Sequence, residues 1–226
     1  MFEQQPQELQ QKVKSLATEA IQTENPSGWF ETLYKDAQGN SLLVPWAKNT
    51  AHPYLEDWLK THQMPGEDRS ALVIGCGLGD DAERLANLGY QVTAFDISPT
   101  AIAWCKQRFP NSTVNYLVAD LLALDASWKN SFDLVYECRN IQALPLKIRS
   151  QVISAIASLV AKEGTLLIIT RHRDDHNIAP EGPPWALSDE ELSQFAKLGF
   201  QEINRKTFVV GDLVKVKQLR LEYISN

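Results

Sequence analysis

The fold is decided by residues 71–96, which read ALVIGCGLGDDAERLANLGYQVTAFD. The stretch opens with a short apolar run, 71–74, of the kind found in strands that are buried on both faces. Three glycines then stand at alternate positions, namely Gly75, Gly77 and Gly79. Residues 80–89 carry a helical apolar stripe with acids in the first turn, and a second apolar run, 92–95, ends on Asp96. The order of strand, glycine turn, helix, strand and acid predicts a βαβ unit of a doubly wound sheet.

This unit has the features of a nucleoside-binding site. Glycine adopts positive φ and lets a ligand approach the backbone closely. In doubly wound sheets, ligands bind outside the carboxyl ends of the strands, which is where this turn lies. An acid such as Asp96, at the tip of the second strand, can accept hydrogen bonds from ribose hydroxyls. The alternative is a tight structural turn that holds no ligand, because a glycine turn by itself is a common feature.

The glycine turn resembles motif I of the class I S-adenosylmethionine (SAM) dependent methyltransferases, in which an acid and one further residue precede G-x-G-x-G. The three glycines match, but Val73 stands where the family has its acid. That acid helps to position the methionine part of SAM, so Asp80 or Asp81, just past the glycines, is the candidate to replace it. The resemblance implies that the turn, including Cys76, and the strand tip 96–97 (Asp96 and Ile97) hold SAM, with S-adenosylhomocysteine (SAH) as the product.

The tip of the third predicted strand, about 114–118, carries two more candidate residues, Asp120 and Leu121. In the methyltransferase family an acid or amide at this place holds the adenine amino group, so the resemblance assigns both residues to the adenine site. The alternative is that Asp120 only caps the turn that follows, since Asp is a common cap.

The fourth predicted strand begins with residues 132–135 (FDLV), which is similar to the start of motif IV of the family, whose tip faces the transferred methyl group. Glu137 lies at this tip and is a candidate for both cofactor and acceptor contacts. Arg139 and, after the fifth strand, Arg171 are candidates to orient the acceptor. Glu137 is also the candidate to take a proton from an alcohol or amine, whereas a thiolate acceptor needs no protein base.

Residues 1–68 are predicted to form an N-terminal helical and aromatic arm, ahead of a core over 69–226. Helices are expected over about 7–23 and 53–62. Between them, residues 29–46 are rich in large rings. This segment is either a small aromatic core or a lid over the ligand cleft.

An aromatic arm that ends in Pro45-Trp46 and precedes motif I resembles the thiopurine S-methyltransferase branch of the family. In that branch the arm helps to bury SAM and to line the substrate pocket. The resemblance therefore implies that the arm is a lid and that Trp29 and Trp46 contact SAM.

The whole pattern predicts an α/β fold with a Rossmann-like, doubly wound sheet of seven strands. The sheet should be mostly parallel, with one antiparallel strand near the C-terminus, as the resemblance implies. Further helices are predicted over 99–108, 146–161 and 188–198. A fifth strand is expected over 165–170, and two closing strands over about 201–209 and 213–224.

Composition limits the partners and the location. The formal charge is −6 and basic residues do not cluster, so no nucleic-acid partner is expected. Three cysteines without close pairs indicate a reducing compartment. The N-terminus lacks the apolar core of a secretory signal and no apolar run is long enough to span a membrane, so a cytoplasmic protein without membrane contact is expected. The tract 171–176 (RHRDDH) is interpreted as a charged loop, and no metal is expected.

Together these features predict a SAM-dependent methyltransferase that acts on a small molecule, with a thiol or another soft nucleophile as the candidate acceptor. Two alternatives stay open. An NAD-binding oxidoreductase would use Asp96 on the same ribose hydroxyls, although its usual glycine spacing is G-x-G-x-x-G. A catalytically silent SAM-binding partner protein would keep the same glycine turn. Both a monomer and a dimer are compatible with the sequence.

Overall fold

The protein is described by a computed structural model that covers residues 7–22, 25–62, 66, 68–176, 182–211 and 214–226. Within these ranges, seven strands form one sheet: β1 Ser70–Ile74, β2 Gln91–Asp96, β3 Asn115–Val118, β4 Phe132–Cys138, β5 Val160–Arg171, β6 Phe200–Val210 and β7 Val216–Ser225. The strand order is β3-β2-β1-β4-β5-β7-β6. Strand β7 runs antiparallel to both of its neighbours, and the other pairings are parallel. The predicted Rossmann-like sheet with one antiparallel strand is confirmed.

Strand β1 occupies the centre of the first half of the sheet. Ile74 at its end is in register with Phe95 of β2 on one side and with Glu137 of β4 on the other. The parallel register therefore brings the carboxyl ends of β1, β2, β3 and β4 to one edge, where a doubly wound sheet places its ligands.

Helices cover both faces of the sheet. In the described ranges they are α1 Gln7–Gln22, α2 Gly28–Ala37, α3 Pro53–Thr61, α4 Asp80–Ala86, α5 Pro99–Arg108, α6 Arg149–Ala157, α7 Asp189–Leu192 and α8 Gln194–Lys197. Helices α3, α4 and α5 bury apolar side chains in one core cluster with β1 and β4, and α6, α7 and α8 do so in a second cluster on the opposite face. None of these helices combines the length and the apolar character that a membrane crossing requires.

Three predicted helix boundaries were wrong. The helix predicted over 80–89 ends at Ala86, and the helix predicted over 188–198 is divided at Ser193, whose hydroxyl donates to the carbonyl of Glu190. A serine that bonds to a nearby carbonyl competes with the regular helical pattern. The helix predicted over 146–161 is confined to α6, because Val160 already pairs with Phe132 as the first residue of a longer β5.

The aromatic segment contains a helix, α2, that the sequence analysis did not predict. Its buried side chains share one face and are Trp29, Leu33, Tyr34 and Ala37. They pack with residues of α1 and with Leu78 and Ala101 of the core. The arm and the core are therefore joined by a common apolar cluster. The start of the last predicted strand, at residue 213, lies outside the described residues.

Helix α3 is fixed to the sheet by buried polar side chains of β7. On one face of β7, Gln218, Arg220 and Glu222 are 1%, 3% and 4% exposed. Arg220 donates to the carboxylate of Asp57 on α3 at 2.5 Å, and to the carbonyl of Tyr54 at 3.4 Å. Lys206 of β6 binds the same Asp57 carboxylate from the exposed side at 2.8 Å.

We expect Asp57→Ala to lower the free energy of unfolding by about 1–3 kcal/mol, because, among the described residues, it leaves the buried Arg220 guanidinium with one hydrogen bond, of 3.4 Å, to Tyr54. The matched control is Lys206→Ala, which removes an exposed partner of the same carboxylate and should cost at most about 1 kcal/mol. Urea denaturation of both variants measures the difference. Equal losses would show that the buried charge does not depend on Asp57.

Candidate cofactor and acceptor site

The glycine turn between β1 and α4 has the strained backbone that its sequence predicts. The φ angles of Gly75, Gly77 and Gly79 are 55°, 56° and 88°, values that side chains disfavour. A Cβ at Gly75 would also lie 2.0 Å from the side-chain oxygen of Asn140. Asn140 follows β4 and donates to the carbonyl of Ile74 at 2.8 Å. Close contact between the tips of β1 and β4 thus requires glycine at position 75.

Asp96 is held at the centre of the site. Its carboxylate accepts hydrogen bonds from the backbone N–H of Gly77 at 3.0 Å and of Ser98 at 2.9 Å. The residue is only 6% exposed. Burial raises the pKa of Asp96 to about 6, although the two backbone hydrogen bonds act against this shift. The predicted ribose acid is therefore a buried carboxylate directly beside the glycine turn.

The aromatic arm lies over this turn. Trp46 donates its indole N–H to the hydroxyl of Tyr34 at 2.6 Å. A Cβ at Gly77 would lie 3.2 Å from that hydroxyl and 3.8 Å from the Trp46 ring. Trp29 is one ring further away and contacts Trp46 edge to face, with 5.8 Å between the ring centres. Of the two tryptophans that the sequence analysis named, Trp46 reaches the turn and Trp29 supports it.

A second contact between arm and core involves Glu31 of α2. Its carboxylate accepts hydrogen bonds from the hydroxyl of Ser98 at 2.5 Å and of Thr100 at 2.8 Å. It also accepts the backbone N–H of Thr100 at 3.2 Å, at the start of α5. Because Ser98 follows Asp96 by two residues, Glu31 positions the arm next to the predicted ribose acid.

The residues predicted for the adenine site lie at the neighbouring strand tip. Asp120 is exposed, and its carboxylate accepts the backbone N–H of Leu122 at 2.9 Å, so it does cap the 3₁₀ turn Leu121–Ala123. Ile97 and Leu121 are half-buried. The parallel pairing of β2 with β3 brings these tips together, with Asp96 in register with Val118.

Glu137 is fully buried at the end of β4. One oxygen of its carboxylate accepts the backbone N–H groups of Asn140 at 2.5 Å and Ile141 at 3.0 Å. Its other oxygen, Oε2, is buried without a hydrogen-bond partner among the described residues. Burial raises the pKa of this carboxyl to about 7. In the structure, Glu137 therefore stabilises the turn after β4.

The two candidate arginines lie at the ends of neighbouring strands, Arg139 just after β4 and Arg171 as the last residue of β5. Arg139, with φ of 68°, donates to the side-chain oxygen of Gln218 on β7 at 2.5 Å. Arg171 ends β5, and its backbone N–H donates to Gln142 at 2.6 Å.

Burial, with a further contribution from the charge of Arg139, lowers the pKa of His52 to about 3, so His52 is neutral near pH 7.

The tract 171–176, predicted to be a charged loop, begins within the sheet, because Arg171 is the last residue of β5 and His172 forms a bridge to Leu187. His172 is buried and His176 is exposed. Across the residues that the structure describes, no three His, Cys, Asp or Glu side chains converge as ligands for an ion.

The glycine turn, the buried acid and the arm above them lie together at the carboxyl ends of the strands, where a doubly wound sheet binds nucleoside-type ligands. A family model described as thiopurine S-methyltransferase matches residues 35–222, which include all of these elements except the first half of the arm. The chain belongs to the thiopurine S-methyltransferase family. It is a SAM-dependent methyltransferase with a small-molecule acceptor, and SAM is its methyl donor.

Curated relatives of this thiopurine S-methyltransferase family member are distant. The thiopurine S-methyltransferase of Legionella pneumophila strain Philadelphia 1 is 24% identical over 166 residues, which cover 66% of this chain and 73% of that protein. The ubiquinone biosynthesis O-methyltransferase of Xanthomonas campestris pv. campestris strain B100 is 35% identical over 112 residues, which cover 49% of this chain and 45% of that protein.

Solved structures share the fold. The N-methyltransferase NodS from Bradyrhizobium japonicum WM9, in complex with SAH, aligns with a TM-score of 0.65 and 17% identity over 87% of this chain and 97% of NodS. A protein from work on the conversion of a disulfide bond into a thioacetal group during echinomycin biosynthesis aligns with a TM-score of 0.71 and 20% identity. That alignment covers 88% of this chain and 91% of the other.

Sequence reasoning missed the arm residues that reach the core of the site. The sequence analysis singled out neither Tyr34 nor Glu31. The available signal for Glu31 is weak, since an acid in the first turn of a helix is common. Asn140 was missed as well, because nothing local in the sequence indicates that it touches Gly75 across 65 residues of chain.

We expect Glu137→Gln to change the pH dependence of stability. Because the folded pKa of Glu137 is raised from 4.5 to about 7, the folded protein retains a proton that the unfolded chain releases in this window. The stability that Glu137 contributes therefore falls as pH rises from about 5 to about 7. The melting temperature of the glutamine variant minus that of wild type should therefore be larger at about pH 8 than at about pH 5.5.

Glu163→Gln is the control for this comparison, because Glu163 is exposed. Its melting temperature relative to wild type should be the same at both pH values. A Glu137→Gln difference that does not vary with pH would contradict a raised pKa.

Proposed function

We propose that the cleft at the carboxyl ends of β1, β2, β3 and β4 binds SAM and presents its methyl group to a soft nucleophile such as a thiolate. The observation that supports this most directly is the buried Asp96 carboxylate beside the glycine turn, with the aromatic arm above both. The glycine backbone and Cys76 would border the methionine and ribose parts of SAM. Asp96 would accept the ribose hydroxyls, and Asp120 with Ile97 and Leu121 would border the adenine.

The reaction class places limited demands on the protein. When bound, the sulfonium of SAM supplies an activated methyl group. The chain has to align the acceptor with that group and exclude water. The Tyr34–Trp46 pair over Gly77 supports this shielding role, since its rings cover the turn. Aromatic faces also attract a cation by about 0.5–2 kcal/mol.

The β4 tip is proposed to receive the acceptor. Arg139 lies there with His52 and Tyr54 nearby, and Tyr54 stacks on Phe208 with 3.7 Å between ring centres. A guanidinium beside apolar rings suits a small planar acceptor that carries negative charge. The relatives from Legionella pneumophila and Aliivibrio salmonicida are both named thiopurine S-methyltransferase, a name that refers to a sulfur acceptor. A thiolate acceptor needs no general base from the protein.

We further propose a cytoplasmic location and no nucleic-acid partner. The three cysteines, Cys76, Cys105 and Cys138, are free thiols, which suits a reducing compartment. The chain carries 28 acidic and 22 basic residues, a balance unsuited to binding a phosphate backbone.

Calorimetry of the purified chain with SAM, SAH and NAD tests the cofactor assignment. Binding of SAM and SAH without NAD is expected, and the reverse would overturn it. Turnover of SAM with a panel of thiols, selenols and thiopurines then tests the acceptor class. SAM binding without turnover of any acceptor would favour a catalytically silent SAM-binding partner protein.

We expect Asp96→Asn to weaken SAH binding at least about tenfold, because charge-assisted hydrogen bonds to the ribose contribute about 1.5–3 kcal/mol each. The matched control is Asp133→Asn at the opposite edge of the sheet, where the carboxylate accepts the backbone N–H and the hydroxyl of Ser70 at 2.8 Å each. The control should lower stability and leave SAH affinity within about twofold. Unchanged SAH affinity in Asp96→Asn would remove Asp96 from the ribose site.

We also expect residues 29–46 to be more protected from hydrogen exchange when SAH is bound. Asp96 is 6% exposed beneath the arm, so a ligand can reach it only if the arm moves. Residues 160–166, which form the first half of β5 at the opposite edge of the sheet, serve as the internal control, because their exchange should not respond to SAH. Equal protection of 29–46 with and without SAH would show that the arm is ordinary core rather than a lid.

A further inference from the structure

Val73 stands where the methyltransferase family has an acid, so the methionine part of SAM lacks that acidic partner in this chain. Val73 of β1 is 2% exposed and lies in register between Ala94 of β2 and Tyr136 of β4. Its apolar side chain packs in the core cluster under α3, α4 and α5. Position 73 therefore offers no carboxylate to the methionine part of SAM.

Asp80, one of the two acids just past the glycines, is already committed elsewhere. Its carboxylate binds the guanidinium of Arg108 through two hydrogen bonds, at 2.8 Å and 3.0 Å. Arg108 also donates to the carbonyl of Leu78. A carboxylate that is held by a bidentate arginine is neutralised and fixed in orientation, so Asp80 secures α5 against the turn.

Asp81 has a different environment. It is half-buried, and one oxygen of its carboxylate accepts the hydroxyl of Tyr136 at 3.0 Å. Tyr136 of β4 is the register partner of Val73. The Asp81 carboxylate on α4 is therefore hydrogen-bonded to the residue that lies beside position 73 in the sheet. The other oxygen accepts the backbone N–H of His52 at 2.6 Å. Cys138, at the tip of β4, lies close enough for the charge of Asp81 to raise its pKa, after the larger effect of burial.

The surroundings of Asp81 suit a cationic ligand. In the part of the chain that the structure describes, no lysine or arginine forms an ion pair with Asp81. The neighbouring charges that affect it, Asp80 and Glu56, are negative. An ionised carboxylate has about four lone-pair positions, and the two hydrogen bonds present use only part of that capacity. Burial raises the pKa of Asp81 to about 6, a shift that a bound cation would oppose.

We propose that Asp81 binds the α-ammonium group of the methionine part of SAM and replaces the acid that is absent at position 73. This assignment rests on the proposed function of the cleft. It makes Asp81 a positioning residue for the donor, because a fixed ammonium group sets the direction of the sulfonium. It also joins donor recognition to the arm, since the same carboxylate holds the backbone of His52.

The test compares two ligands that differ only where Asp81 is proposed to act. SAH carries the amino acid part, and 5′-methylthioadenosine keeps the adenosine and sulfur but lacks the ammonium and carboxylate. In calorimetry, Asp81→Asn should weaken SAH at least about tenfold and leave 5′-methylthioadenosine within about twofold. Asp96→Asn should weaken both ligands, because both contain the ribose.

Tyr136→Phe is the control for Asp81. It removes the hydroxyl that binds the carboxylate but keeps the charge, so the ratio of the two affinities should stay within about twofold of wild type. Melting temperatures of all variants establish that each is folded. If Asp81→Asn does not fold, Asp81→Glu provides the comparison, with an altered affinity ratio expected because the longer side chain displaces the charge.

An equal loss for SAH and 5′-methylthioadenosine in Asp81→Asn would overturn the proposal and leave Asp81 as a structural link between turn and arm. No loss for either ligand would overturn it as well. Failure of the wild-type chain to bind either ligand would instead contradict the proposed function, so the two ideas fail in different ways.

Discussion

The site depends on the hydrogen bonds that the Asp96 carboxylate accepts from Gly77 and Ser98. These bonds join the end of β2 to the glycine turn after β1 and to the first residues before α5. The two backbone N–H groups offset part of the cost of burying the Asp96 carboxylate. The hydrogen bond from Gly77 also holds the glycine turn in its positive-φ conformation. The backbone geometry of the turn and the proposed ribose contact therefore both depend on Asp96.

The arm is placed by polar contacts as much as by its rings. Glu31 binds Ser98 and Thr100 beside Asp96, the backbone of His52 binds Asp81, and Asp57 binds the buried Arg220. Apolar packing is non-directional, whereas hydrogen bonds to charged groups fix position and orientation. The arm therefore has a fixed position over the cleft. Glu31 and His52 attach it beside residues of the proposed site, and Asp57 attaches it to Arg220 on the inner strand β7.

Three carboxyl groups at the carboxyl ends of the strands have raised pKa values, namely those of Asp81, Asp96 and Glu137. Burial is the first cause in each case, and burying an acid opposes folding at neutral pH. Shifted pKa values of this kind are common at functional sites and also occur in structural hydrogen-bond networks. Glu137 fixes the turn after β4, while Asp81 and Asp96 border the space proposed for a ligand that carries an ammonium and ribose hydroxyls.

The sequence by itself determined the order of the strands, the glycine turn and the acid at the tip of β2, but not helix α2. These features depend on local signals, namely apolar periodicity, glycine spacing and helix caps. Only the tertiary structure decided that Glu31 would meet Ser98, that Asn140 would exclude a side chain at Gly75, and that Asp81 would stand beside the partner of Val73. It also decided where α6 ends, since Val160 leaves the helix to pair with Phe132. The reason is physical: these contacts join residues far apart in the chain, and their energies exist only after the sheet has brought the strand tips together.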